Sequence, residues 1–129
     1  MEKSDFYHEA RNDLTGPLEG VRVLEATTTW AGPMAGCMLA DMGAQVVKVE
    51  SWEGDAFRGI GPGFQSWNRG KRGIVLNLRT DEGREVLHRM VREADVVLEN
   101  YRHGVARRLG VDYETLREFN AQIIYCTVT

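Results

Sequence analysis

Residues 73–100, GIVLNLRTDEGREVLHRMVREADVVLEN, hold one complete strand–helix–strand unit, and their reading decides the fold. Gly73 to Leu78 has the short, branched and apolar character of a strand. Thr80 predicts a helix N-cap, with Asp81 and Glu82 in the first turn, where the positive end of the helix dipole favours acids. Val86, Leu87, Met90, Val91 and Ala94 recur at helical spacing on one face. Glu85, Arg89 and Glu93 follow one another at intervals of four on the wet side. Asp95 to Asn100 then reads as a second strand. A strand, a helix and a strand in this order make a crossover between parallel strands.

The same alternation continues in both directions. Toward the N-terminus, Val21 to Ala26 predicts a strand, Thr27 to Pro33 a loop, Met34 to Met42 a short apolar helix, and Gln45 to Glu50 (QVVKVE) another strand. Gly43 suits the left-handed position that closes a helix. Ser51 to Gly73 is rich in glycine and reads as one long loop, a length usually reserved for function. Toward the C-terminus, a helical turn over Val105 to Leu109 stops at Gly110, Asp112 caps a helix through Phe119, and Gln122 to Val128 forms a fifth strand. The expected fold class is therefore α/β, a mostly parallel sheet with helices packed on its faces. Such a sheet takes its ligand beyond the carboxyl ends of the strands, so the loops that matter are Thr27–Pro33, Ser51–Gly73 and Tyr101–Arg108. Residues 1–17 are polar, end in Gly16-Pro17, and read as an N-terminal arm.

At 129 residues, one domain is the default. With 43% hydrophobic and 27% charged residues the chain has the make-up of a soluble globular protein. No apolar run reaches the roughly 18 residues of a membrane span, and Met1 to Asp5 open no secretory signal. A net charge of −3 argues against nucleic acid as partner. Cys37 and Cys126 have neither metal nor redox spacing, so buried free thiols in a reducing cytosol are expected.

The first strand–loop–helix turn reads TTTWAGPMAG and lacks the G-x-G-x-x-G of dinucleotide sites. Glu50, at the end of the second strand, occupies the place where such enzymes keep a ribose-binding acid. Gly36 is expected to let the helix pack close to the sheet, and Ala31 and Gly32 to let a ligand approach. Arg69, Lys71 and Arg72 stand in a flexible basic stretch, NRGKR, suited to phosphates; the alternative is a solvated surface loop. Arg102, His103, Arg107 and Arg108 follow the fourth strand, where Arg107 or Arg108 could meet a phosphate or stack on adenine, or else bridge to acidic helix faces. His8, His88 and His103 have no paired base. Asp41, Asp55 and Asp81 read as a helix-end, a loop and a helix-start charge. No nucleophile or metal cluster is visible.

PLEGVRVLEAT, AGPMAGCMLADMGAQVVKVES, GDAFRG, the run from NRGKRG to YETL, and IIYCTV, in this order over about residues 17–129, resemble the start of family III CoA-transferases, a superfamily that includes α-methylacyl-CoA racemases. The resemblance implies a Rossmann-like, CoA-binding large domain over residues 18–129, incomplete at its C-terminal side. It implies CoA contacts at Thr28, Thr29, Trp30, Ala31, Lys71, Arg72, Leu76, Asn100, Tyr101 and Arg108. The implied reaction moves CoA between an acyl-CoA thioester and a free carboxylic acid through an aspartyl intermediate, with CoA as substrate and no other cofactor. A carboxylate is a fit nucleophile for this exchange because its acyl derivatives stay activated. No residue of the chain matches that aspartate or the racemases' acid–base pair, so the chain is expected to be a fragment or remnant, inactive alone. The first loop carries Thr28 and Trp30 where formyl-CoA enzymes carry His and Gln. Ser51 stands where an Arg can follow the KVE strand. The remaining expectations are a cytoplasmic location, an interlocked homodimer or related heterodimer, and no nucleic-acid or membrane partner. The alternatives are a racemase of the same superfamily and a non-catalytic CoA- or nucleotide-binding module.

Overall fold

The computed structural model describes residues 16–60 and 62–128. The expected arm therefore lies outside the described residues, except for Gly16 and Pro17. Five parallel strands, β1 (Arg22–Ala26), β2 (Gln45–Glu50), β3 (Arg72–Val75), β4 (Val96–Glu99) and β5 (Ile124–Thr127), form one sheet in the order β3-β2-β1-β4-β5. The order reverses between β1 and β4, which opens a crevice at their carboxyl ends.

Inner parallel strands are covered on both faces, so neighbouring residues of one strand enter different cores. Leu24 joins Val49, Leu87, Val91, Val97 and Leu116 on one face. Val23 joins Val46, Leu98 and Ala44 on the other.

Helix α1 (Ala31–Asp41) starts three residues earlier than expected. Pro33 falls in its first turn, where the missing N–H costs nothing. The helix closes in a Schellman motif: Gly43, at φ +99°, donates to Ala40 O, and Ala44 N donates to Leu39 O, both at 3.0 Å. The expected long loop is largely ordered into a 3₁₀ turn (Ala56–Gly59) and helix α2 (Gly63–Asn68). Helix α3 (Asp81–Val91) is capped by Thr80, whose hydroxyl accepts from Gly83 N at 3.2 Å. Helices α4 (Val105–Arg108) and α5 (Tyr113–Leu116) are single turns, and Asp112 caps the second. Strand β3 ends at Val75, short of Leu78, because residues 76–80 turn into the cap of α3.

Cys37 is buried and donates weakly to Ser66 O, 3.6 Å away. Cys126 departs from expectation. It lies on edge strand β5 and is exposed.

Candidate functional site

The carboxyl ends of β1, β2, β3 and β4 border a cleft of about 570 Å³. Thr28, Leu76, Tyr101 and Arg108 line it together, as do Trp52, Arg79, Arg84 and the apolar Val49, Leu78 and Leu109. Four of the ten expected contact residues thus converge. Of Arg102, His103, Arg107 and Arg108, only Arg108 reaches the lining, and its guanidinium makes no hydrogen bond or ion pair among the described residues. Burial raises the Tyr101 phenol above its usual pKa, with Glu99 adding to the shift.

Asn100, Thr29, Trp30 and Ala31 shape the first loop. The Asn100 side chain grips the Thr28 backbone twice: Oδ1 accepts from Thr28 N at 2.9 Å, and Nδ2 donates to Thr28 O at 2.8 Å. Thr29 has φ +76°, unusual for a residue with a side chain. Its N–H donates to both carboxylate oxygens of Asp55, at 3.1 and 3.2 Å. Trp30 is exposed on one side and stacked on Trp67, with ring centroids 5.3 Å apart. Ala31 opens α1. Gly32 is buried against Thr27, whose Cβ would lie 2.5 Å from an added Cβ, so its smallness serves packing rather than ligand approach.

The basic stretch does not line the cleft. A loop that feeds into a strand sits at that strand's amino end, whereas ligands bind at the carboxyl ends. Arg69 pairs with Asp41. The Lys71 side chain is 2% exposed, and Nζ meets Glu25 Oε2 at 2.6 Å, Pro33 O at 2.7 Å and Asn68 Oδ1 at 3.0 Å. Burial pushes the Lys71 ammonium below its usual pKa, against the pull of Glu25. Arg72 reaches Gln45 at 3.4 Å and lies at the opposite edge of the sheet.

Sequence reasoning missed the buried ion cluster beneath this edge. Parallel register sets Glu25 beside Lys48. Lys48 Nζ contacts Glu25 Oε1 and Asp55 Oδ2, each at 3.1 Å, and donates to Thr27 O at 2.7 Å. Among the described residues, the Lys71 ammonium is the one polar partner of Glu25 Oε2. Gly36 lies directly over this carboxylate, so the close approach expected of it is to a buried charge. Glu50 accepts from Arg58 Nε at 2.9 Å, from Arg58 Nη2 at 2.5 Å and from Asp55 N at 3.0 Å. It is therefore not offered to a ribose, which removes the one feature that favoured a dinucleotide. Burial works to raise the pKa of Glu50 and of Asp55. For Glu50 the Arg58 hydrogen bond and the Asp55 N–H prevail; for Asp55 the N–H groups of Phe57 and Thr29 and the Lys48 ammonium do, and both acids stay below their ordinary range. The signal in the sequence was a charge on each of two inner strands, Glu25 and Lys48.

His88 is held structurally, with Nε2 2.8 Å from Gly110 O and its ring stacked on Phe119. The described residues contain no group of His, Cys, Asp and Glu arranged to hold a metal, and no helix among them is long and apolar enough to cross a membrane.

Two solved structures share this fold and much of the sequence. Rv3272 from Mycobacterium tuberculosis superposes with a TM-score of 0.82 at 40% identity, over 87% of this chain and 33% of that one. A CaiB/BaiF family protein from Brucella suis gives 0.81 at 45% identity, over 88% and 33%. Among curated proteins, the succinate–glutarate CoA-transferase of Agrobacterium fabrum is 47% identical over 128 residues, and the succinyl-CoA:mesaconate CoA-transferase of Haloarcula marismortui 46% over 125. Each match takes in 88% of this chain and 32% of the relative, so the chain spans about a third of the length of these relatives. The sequence profile of CoA-transferase family III matches residues 18–129, nearly the whole described region, and the chain belongs to that family.

Proposed function

We propose that this domain holds the CoA handle in a family III CoA-transferase, which moves CoA from an acyl-CoA thioester to a free carboxylic acid. The observation that carries the reading is the convergence of Thr28, Leu76, Tyr101 and Arg108 on one cleft at the carboxyl ends of the strands. Apolar walls suit the pantetheine arm, and the Arg79 and Arg108 guanidinium groups suit its phosphates. Asn100 and Thr29 set the first loop, with Trp30 and Ala31 at its end, while Lys71 and Arg72 are not proposed as contacts.

The transferring nucleophile is an aspartate outside this chain. Its carboxylate attacks the thioester carbonyl, and CoA thiolate leaves. The thiolate then attacks the aspartyl carbonyl of the mixed anhydride and releases the donor acid. An incoming carboxylate repeats the two steps in reverse. The relatives named for succinyl, succinate, glutarate and mesaconate chemistry support a short dicarboxylic acid as the substrate class.

We also propose that the domain works in the cytoplasm, joined to a second copy or a related subunit. Trp30, Met34, Met38 and Met42, four residues apart from the N-cap to the C-cap of α1, all stand exposed and fit an association face. A monodisperse monomer in sedimentation velocity would count against that face.

Titration of the 129-residue chain with CoA and with NADH tests the main reading. CoA is expected to bind more tightly, without turnover when succinyl-CoA and a free dicarboxylate are supplied, because the nucleophilic aspartate is not part of this chain. Preference for NADH would overturn the reading.

A further inference from the structure

We propose that Trp52 is the platform on which the purine of the bound nucleotide stacks; the inference rests on the CoA reading of the cleft. Trp52 lines that cleft and is 80% exposed, more than any other exposed large hydrophobic side chain among the described residues. Its indole has no ring or hydrogen-bond partner there, whereas Trp30 and Trp67 stack on each other.

The exposure does not come from a loose backbone. Trp52 occupies a tight turn in which Gly54 N donates to Ser51 O at 3.0 Å, with Gly54 at φ +73°. An added Cβ at Gly54 would lie 3.1 Å from Arg58 Cδ, so the turn sits tightly on that side chain. The root of the turn is fastened through Glu50, which accepts from Asp55 N and from Arg58. The fold thus builds a rigid mount and leaves a large flat π-face over the cleft.

The other walls name the ligand. Arg79 and Arg108 bring guanidinium groups to the same space, and Leu76, Leu78 and Leu109 bring apolar surface. A simple acyl group needs no flat aromatic face, and a free phosphate needs no indole. A ligand with a planar base, phosphates and an apolar arm meets all three. Stacking accepts any base because each presents a π-face, so Trp52 contributes affinity for the nucleotide end without choosing among bases.

The test compares wild type, Trp52→Ala and Trp52→Phe by calorimetric titration with CoA, with 3′,5′-ADP and with 4′-phosphopantetheine. Trp52→Ala is expected to bind CoA and 3′,5′-ADP roughly 5- to 100-fold more weakly. Its affinity for 4′-phosphopantetheine, which lacks the base, is expected to stay unchanged, and Trp52→Phe is expected to restore most of the loss. Wild-type affinity for CoA in Trp52→Ala, or an equal loss for all three ligands, overturns the platform while leaving the CoA reading in place. Failure of the wild type to bind CoA overturns both.

Discussion

Replacing Lys48 with Met tests the buried ion cluster, because Met keeps the length and apolar volume of the side chain and removes only the ammonium. Lys48 Nζ lies 3.1 Å from a carboxylate oxygen of Glu25 and 3.1 Å from one of Asp55, with all three side chains almost wholly out of water. At an effective dielectric constant of roughly 20, each contact is worth about 5 kcal/mol of gross attraction. Desolvation of the three ions offsets much of this in the wild type. In the variant, desolvation of the two acids remains while their shared cation is gone; Glu25 keeps Lys71, and Asp55 keeps only neutral donors. Removing one partner of a buried pair costs about 3–5 kcal/mol, a large part of the roughly 5–15 kcal/mol that holds a domain folded. With a urea slope of roughly 2 kcal/mol/M, the denaturation midpoint should fall by about 1.5–2.5 M. Adding Asp55→Asn removes the stranded charge, so the double variant should be more stable than the sum of the two single losses implies. A loss below about 1 kcal/mol for Lys48→Met at unchanged slope, or strict additivity in the double variant, would refute this account.

The acid limb of stability should follow from the same residues. Glu50 and Asp55 have folded pKa values below their ordinary 4.5 and 3.8, so the folded state binds fewer protons than the unfolded chain in this region. Their contribution is present above the unfolded values and disappears as pH falls from about 4.5 through the folded ones; a Glu50→Gln, Asp55→Asn variant should show a flatter dependence in urea melts between pH 5 and roughly pH 3. Two glycine substitutions should part company in thermal melts. A Cβ at Gly36 would stand 1.8 Å from Glu25 Oε2, a carboxylate with no room to move, so Gly36→Ala is expected to lose at least about 3 kcal/mol. Gly73→Ala meets nothing within 4 Å and should stay within about 0.5 kcal/mol of wild type. Equal melting temperatures for the two would contradict the packing seen over Glu25.

The strands and α3 were legible because their signals are local. Val96 to Leu98 is a continuous apolar run, as a strand buried on both faces must be, Val23 to Ala26 is apolar but for Glu25, and Thr80 announces its helix on its own. The segment from Ser51 to Gly73 was not legible. Its glycines and Pro62 indicate a loop, and α2 is too short to form by propensity. Contacts distant in sequence hold it in place: Trp67 stacks on Trp30, and Asp55 accepts from Thr29 N at 3.1 Å. The cleft was legible in outline from topology, which put the loops holding Thr28, Tyr101 and Arg108 at one edge, while Leu76 came only with the family resemblance. Lys71 misled because its charge was visible in the sequence and Glu25, its partner, is 46 residues away and meaningful only once register and helix packing are known.

The ion cluster also explains why the two lips of the cleft form one mechanical unit. On the first lip, Lys48 takes Thr27 O, and Asp55 takes Thr29 N, which holds a left-handed backbone that costs about 1–3 kcal/mol in a non-glycine residue. On the second, Glu50 takes Asp55 N and Arg58 and so fastens the turn that carries Trp52. Asp55 belongs to both lips, and Lys48 joins it to the centre of the sheet through Glu25. A charge placed on an inner strand would be a liability if it only filled space. Here it joins the backbone of the first loop to that of the second, so that neither lip can shift without breaking a contact that holds the other.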